Sequence, residues 1–156
     1  MKEYVGNFNG EKQQVGIVIA KFNDLVTKRL LEGAQQTLIQ SGIAAANIEV
    51  YWVPGAFEIP RMTRLLSESG RVKGIIALGA VVRGETAHFD YVCSAAASGI
   101  AEISLHGSVP IMFGVLTTDT MDQALNRAGG KSGNKGSECA LALLEMISLQ
   151  QQIQKI

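Results

Sequence analysis

Short apolar runs alternate with longer amphipathic segments along the chain. The apolar runs predict four β-strands, at Val15–Ala20, Ile48–Val53, Gly74–Val82 and residues 110–117. The third run is almost wholly apolar, which is typical of a central strand covered on both faces. Pro54-Gly55 directly after the second run marks the end of that strand.

The amphipathic segments predict helices between and after these strands. Apolar residues recur at helical spacing from Asp24 to Gln40, and Gly42 can end that helix in a left-handed conformation. Pro60 fits a helix only within its first turn. The stretch 129–136 is too rich in glycine to continue a helix. The other predicted helices span residues 56–69, 86–106, 120–128 and 137–152.

Strands that alternate with helices favour an α/β fold with a parallel sheet and right-handed crossovers. We therefore predict a flavodoxin-like three-layer αβα sandwich with four parallel strands, and a single domain over residues 1–156. Residues 4–8 alternate weakly between apolar and polar. They predict an N-terminal edge strand that pairs with a neighbouring subunit.

Charge and composition exclude several classes of protein. The 156 residues carry 14 acidic and 14 basic side chains, so nothing electrostatic favours nucleic acid or an anionic membrane. No apolar stretch reaches the ~18 residues of a membrane span. The polar N-terminus lacks the apolar core of a signal peptide. We therefore expect a cytoplasmic protein with no nucleic-acid and no membrane partner.

The two cysteines, Cys93 and Cys139, lie in apolar segments predicted to be helical. Neither has a partner at the short spacing of a zinc or redox motif. We expect buried free thiols in a reducing compartment, and no metal site.

Unusual residues cluster where the predicted strands end. Parallel sheets bind ligands beyond the carboxyl ends of their strands. The loops at those ends contain Phe22-Asn23, residues 55–58, residues 83–88 and residues 117–119. Because all of these loops meet at one edge of the sheet, we predict the ligand site there.

The loop after the third strand has the features of a phosphate-binding turn. Gly84 allows close backbone approach, and Thr86 is placed to cap the following helix, whose first amides favour an anion. His88 in the first helical turn could transfer protons near neutral pH. The alternative is a histidine that only caps or packs. His106, at the other end of the helix, is typical of helix-end stabilisation.

Other candidates have structural alternatives, and for Glu58 the structural alternative is favoured. Phe22 could stack on a planar heterocycle or fold back into the core. Glu58 could accept hydroxyl groups of a polyol, although a carboxylate at a helix start is favoured in any case. Arg127, Lys131 and Lys135 form a basic group that suits an anion, but helix ends often carry such residues. The glycine-rich stretch lacks the order of a P-loop, and no dinucleotide-binding glycine motif follows a strand.

Taken together, these motifs resemble the lumazine synthase family over essentially the whole chain. Five ordered segments at family spacing carry the resemblance. They are Phe22-Asn23, residues 53–60, residues 78–92, residues 113–118, and residues 127–129 with residues 134–136.

The resemblance implies an enzyme of riboflavin biosynthesis. Members of the lumazine synthase family condense 5-amino-6-ribitylamino-uracil with 3,4-dihydroxy-2-butanone 4-phosphate, without a redox cofactor or a metal. By the same resemblance, Phe22 stacks on the pyrimidine. Ala56, Phe57 and Glu58 bind the ribityl chain.

The remaining roles are likewise implied by the resemblance. Val81 and Val82 match the backbone contacts to the pyrimidine edge. Glu85 and Thr86 match the phosphate turn, where Glu85 would contribute only its amide. His88 matches the general acid and base.

The family also implies a homo-oligomer. Arg127 matches its phosphate-binding arginine, while Phe113 and Lys135 resemble residues that close the site from an adjacent subunit. Members form pentamers, and some build icosahedral shells. The segment 129–134 resembles the connection of shell-forming members, so we predict a shell, with riboflavin synthase as a candidate partner.

The main alternative is a binding or shell protein of the same fold without turnover. A container alone has no use for His88 beside a phosphate turn, or for Arg127. A flavodoxin-like electron carrier would need a Ser/Thr- and Gly-rich loop where this chain has residues 21–24. A response regulator would need acidic residues at the end of the first strand, which here ends in Ala20-Lys21.

Overall fold

The computed structural model describes residues 1–155 of the chain. The strands of the main sheet are β1 (Val15–Ala20), β2 (Ile48–Val53), β3 (Gly74–Val82) and β4 (Ile111–Thr118). The helices are α1 (Asp24–Gln40), α2 (Ile59–Glu68), α3 (His88–His106), α4 (Met121–Asn126) and α5 (Lys135–Gln154). A hairpin of β5 (Ala128–Gly130) and β6 (Gly133–Asn134) joins the last two helices.

The main sheet has four parallel strands, as the sequence predicted, and their order is β2-β1-β3-β4. Val15 at the start of β1 is in register with Ile48 on one side and Gly74 on the other. Every residue of β1 is buried, because helices cover both faces of the sheet.

Each face of the sheet carries its own apolar core, which confirms the three-layer fold. On one face, Leu30 and Leu38 of α1 pack with Leu143 and Ile147 of α5. On the other face, residues of α2 and α3 such as Ile59 and Ile100 cover the strands. Among the described residues, no helix is both long and apolar enough to cross a membrane.

Two helices begin later than predicted. The segment expected as one helix from residue 56 starts with a 3₁₀ turn, Ala56–Glu58, and α2 follows. The Glu58 carboxylate accepts the N–H of Gly55 at 2.9 Å and holds that turn. Helix α3 begins at His88 rather than at Thr86, and its N-cap residue is Ala87.

The final helix begins two residues earlier than predicted. Asn134 caps it, because its side-chain oxygen accepts the N–H groups of Gly136 and Ser137 at 2.8 and 3.2 Å. The same side chain donates to the carbonyl of Arg29 in α1 at 3.0 Å. Asn134 therefore fixes both the start of α5 and its position against α1.

The predicted N-terminal strand is not a strand within the single chain. Residues 1–10 are irregular; Val5 and Gly6 lie against α5, and the amide of Gly10 donates to the carbonyl of Ser41 at 2.8 Å. Gln152 donates to the carbonyl of Val5 at 2.8 Å, and Gly6 leaves no room for a side chain against the backbone of Glu145. The pairing of residues 4–8 with a neighbouring subunit stays a prediction.

Candidate active site

A cavity of about 670 Å³ opens at the carboxyl ends of β1, β2 and β3. This is the edge of the sheet at which the sequence predicted the ligand site. The cavity is lined by Phe22, Asn23, Pro54, Gly55, Ala56, Phe57, Glu58, Ala80, Val81, Val82, Gly84, Thr86, His88, Phe89 and Val92.

Phe22 projects into this cavity and is 70% exposed, so it does not fold back into the core. The next residue, Asn23, adopts a left-handed backbone with φ of 60°. Asn23 also donates its side-chain amide to the carbonyl of Ala80 at 2.8 Å. The sequence did not assign this role, although Asn is one of the few side chains that adopt the left-handed region readily.

The segment after β2 forms one wall of the cavity. Phe57 is 62% exposed, and Ala56 is buried behind it. Glu58 lines the cavity while its carboxylate accepts the Gly55 N–H. Glu58 therefore has a structural role at the start of its helical segment. Binding of a polyol by its carboxylate stays a proposal.

The loop after β3 forms the opposite wall. At the start of α3 the Thr86 hydroxyl accepts the His88 N–H at 3.4 Å, and the Ala87 carbonyl accepts the Asp90 N–H at 3.1 Å. The positive end of the α3 dipole at this wall still favours an anion. A side chain at Gly84 would meet only open space, and His88 is exposed at the cavity wall.

Val81 and Val82 end β3 and line the floor of the cavity, half-buried. Glu85 is exposed and does not line the cavity. The structure thus brings together most of the predicted substrate-binding residues with His88.

Three predicted site residues lie elsewhere on the chain. Phe113 on β4 is 40% exposed and lines a separate apolar depression against α3. Arg127 and Lys135 meet at Glu138, at 3.0 and 3.6 Å from its carboxylate. The Arg127 guanidinium lowers the pKa of the Glu138 carboxyl.

The hairpin places Arg127 and Lys135 in a fixed arrangement. Gly129 and Gly133 have φ of 96° and 80°, so the hairpin uses a left-handed backbone that favours glycine. Arg127 donates to the carbonyl of Ser132 across it. Glu138 was not singled out from the sequence, although its position one helical turn after Lys135 is a usable signal.

The cysteines carry free thiols, with Cys139 buried and Cys93 half-buried. Among residues 1–155, no group of three or more His, Cys, Asp or Glu side chains is arranged to hold a metal ion.

The fold and the cavity define a flavodoxin-like α/β protein with a cavity of small-molecule size at the carboxyl edge of its sheet. The chain belongs to the 6,7-dimethyl-8-ribityllumazine synthase family, whose model matches residues 12–151. This match includes the whole sheet and every residue that lines the cavity.

Relatives of the same description match nearly the full chain. A 6,7-dimethyl-8-ribityllumazine synthase of Pediococcus pentosaceus is 63% identical over 155 residues, or 99% of each chain. That of Levilactobacillus brevis is 63% identical over 143 residues, covering 92% of this chain and 91% of its own. That of Lactiplantibacillus plantarum is 54% identical over 155 residues, covering 99% and 98%.

Proposed function

We propose that the protein is an enzyme that condenses 5-amino-6-ribitylamino-uracil with 3,4-dihydroxy-2-butanone 4-phosphate in riboflavin biosynthesis. The observation that carries this proposal is the 63% identity, over 99% of both chains, to a relative described as 6,7-dimethyl-8-ribityllumazine synthase. The cavity supports it, because an exposed aromatic ring, the amino end of a helix and a histidine all border one space.

The pyrimidine would lie against Phe22. The exposed ring of Phe22 offers a flat surface for a heterocycle. The backbone groups of Val81 and Val82 at the cavity floor would contact the pyrimidine edge. The ribityl chain would extend along Ala56, Phe57 and Glu58, where backbone amides and a carboxylate can bind its hydroxyl groups.

The sugar phosphate would bind at the opposite wall. The turn at Gly84, Glu85 and Thr86 leads into the amino end of α3, where the positive end of the helix dipole favours an anion. Glu85 would contribute its amide while its side chain stays in solvent. Arg127 suits a phosphate because its guanidinium can donate two parallel hydrogen bonds.

The chemistry then needs positioning and proton transfer. The ring amine attacks the ketone and forms an imine with loss of water. Phosphate leaves by elimination, and the second amine closes the ring with loss of another water. His88 would move protons in these steps. Much of the acceleration would come from holding two reactants side by side.

The assembly follows from residues that lie outside the cavity of their own chain. If Phe113, Arg127 and Lys135 contribute to catalysis, they reach the cavity of a neighbouring subunit. We propose a cytoplasmic pentamer in which residues 4–8 pair with a neighbouring sheet. The hairpin at residues 129–134 supports further assembly into an icosahedral shell, with riboflavin synthase as a candidate partner.

The test is an assay with both substrates and no added metal or cofactor, in which lumazine is followed by absorbance. We expect turnover in the wild-type protein and its loss in His88→Ala. Tight lumazine binding without turnover in the wild type would favour the alternative of a binding or shell protein.

A further inference from the structure

Arg83 joins two loops at the rim of the cavity. It follows the last residue of β3, and its amide donates to the carbonyl of Thr118 at 2.9 Å. Its Nε donates to the carboxylate of Asp119, also at 2.9 Å. The loop after β3 is thus tied by backbone and side chain to the loop after β4.

Arg83 also contacts the first turn of α3. Its guanidinium lies over the ring of Phe89, at 4.3 Å from the ring centre, and Nη1 lies 3.4 Å from the carboxylate of Asp90. Phe89 directly follows His88 and lines the cavity. One side chain therefore links the end of β3 and the loop after β4 to the helical turn that carries the histidine.

The guanidinium of Arg83 forms ion pairs with two carboxylates of the protein. Two carboxylates, those of Asp119 and Asp90, lie within 3.4 Å of it. The hydrogen bond to Asp119 raises the pKa of Arg83 further above its ordinary value. Arg83 does not line the cavity, so it is not placed to bind a substrate itself.

We propose that Arg83 is a positioning residue that fixes the turn at residues 84–86 and His88 relative to the sheet, acting through Asp119 and Phe89. This inference rests on the proposed function, because it assigns that turn to the phosphate. These contacts depend on the planar guanidinium of arginine. A guanidinium can pair with a carboxylate and at the same time present a flat face to an aromatic ring, whereas lysine supplies a single point charge.

The first experiment compares Arg83→Lys and Asp119→Asn with the wild type for both substrates. In each variant we expect kcat/KM for the butanone phosphate to fall about tenfold or more, since small displacements of positioned groups reduce rates steeply. The KM for the pyrimidine should stay within about twofold, because Phe22 is held by a different loop. The matched control is Arg71→Lys, which alters an ion pair with Glu49 at residues outside the cavity lining.

The results separate positioning from direct binding. A defect in Arg83→Lys with wild-type kinetics in Asp119→Asn would mean that Arg83 contacts the phosphate directly, and it would overturn the proposal. An equal rise in KM for both substrates, or no change in the kinetics of either, would also overturn it. Thermal melting and native mass of each variant check that fold and assembly are retained.

A second readout does not depend on turnover. Modification of histidines by diethyl pyrocarbonate, read by mass spectrometry, should slow at His88 when inorganic phosphate is added. His106 serves as the internal reference. We expect Arg83→Lys to need about tenfold more phosphate for the same protection, because the turn that binds the phosphate would no longer be held in place. Unchanged protection in the variant, or no protection in the wild type, would overturn the proposal, and an inactive wild type with altered protection would reject only the proposed function.

Discussion

At the scale of single residues, the two histidines differ in what surrounds them. His88 starts α3 beside Gly84 and Thr86 at the cavity wall. His106 ends the same helix next to Gly107, in a polar groove shared with α2. Both are exposed, so their chemistry is decided by neighbouring groups rather than by burial. Only His88 lies where two substrates would meet.

Replacing His88 by alanine should therefore slow turnover without unfolding the protein. We expect kcat to fall by roughly 10²–10⁴, the usual range for loss of a general acid or base. Steady-state kinetics measure this, and circular dichroism checks the fold. His106→Ala is the matched control on the same helix and should keep wild-type rates. A His88→Ala enzyme of normal rate would remove the residue from the mechanism.

Phe22 supplies the second prediction at this scale. Its ring is exposed over the cavity, so Phe22→Ala should weaken pyrimidine binding by ~1–2 kcal/mol through lost stacking. Calorimetric titration with the product lumazine measures the change. Leu25→Ala, at an exposed position of α1 outside the cavity, is the control and should bind normally. Equal affinity in both variants would contradict stacking.

At the scale of elements, periodicity predicted the strands and helices but not all of their ends. The bounds of β1, β2, β3 and α1 agree with the sequence pattern. The starts of α2, α3 and α5 do not, and at α5 the reason is a cap that also depends on a distant part of the chain. Asn134 shows this clearly, since it selects the start of α5 while it donates to α1 across 105 residues of sequence.

Loss of the Asn134 cap should destabilise the protein and loosen the hairpin that holds Arg127 and Lys135. Asn134→Ala removes two capping hydrogen bonds and the bond to Arg29, so we expect a loss of about 1–3 kcal/mol. Urea unfolding measures it. Asn134→Ser keeps a capping oxygen but is too short to reach Arg29, and it should lose less. Equal stability of alanine and serine variants would contradict a capping role.

Cys139, a residue of α5, should make the stability of the folded protein decrease at alkaline pH. Burial raises the pKa of its thiol to about 11, whereas an unfolded cysteine ionises near ~8.5. The unfolded chain therefore loses its proton first. The stability is fully present below about pH 8.5 and is lost as pH rises towards about 11, as linkage requires.

The expected loss from this thiol is about 2 kcal/mol between pH 8 and pH 10.5, an order-of-magnitude figure. It is measured as the difference in unfolding free energy between the wild type and Cys139→Ala at the two pH values. Burial also raises the pKa of the half-buried Cys93 thiol, so Cys93→Ala, which keeps the more deeply buried Cys139, should retain the larger part of the wild-type loss. A wild type and Cys139→Ala with parallel pH profiles would contradict the assignment.

At the scale of the whole molecule, topology explains which parts of the site were predictable. Residues directly after strands share one edge of a parallel sheet, so Phe22, Glu58 and His88 were placed together from the sequence. Asn23 and Arg83 were not assigned, because their partners Ala80 and Asp119 lie 57 and 36 residues away. No local pattern records such pairs.

The three residues outside the cavity could be matched to the family but not placed by reasoning on one chain. Phe113, Arg127 and Lys135 lie on surfaces that do not line the chain's own cavity. Their proposed role needs a neighbour, and the pattern of apolar positions in one chain describes only its own core.

Because Arg127 lies outside the cavity that His88 lines, two variant chains could complement each other in a mixed oligomer. If each site combines His88 of one chain with Arg127 of the next, two inactive variants can restore each other. Equal amounts of His88→Ala and Arg127→Ala chains, unfolded together and reassembled, would give roughly a quarter of sites with both groups intact, for random mixing around a ring. Activity recovered in the hybrid, and absent when each variant is refolded alone, would mean that the working unit is the junction between chains.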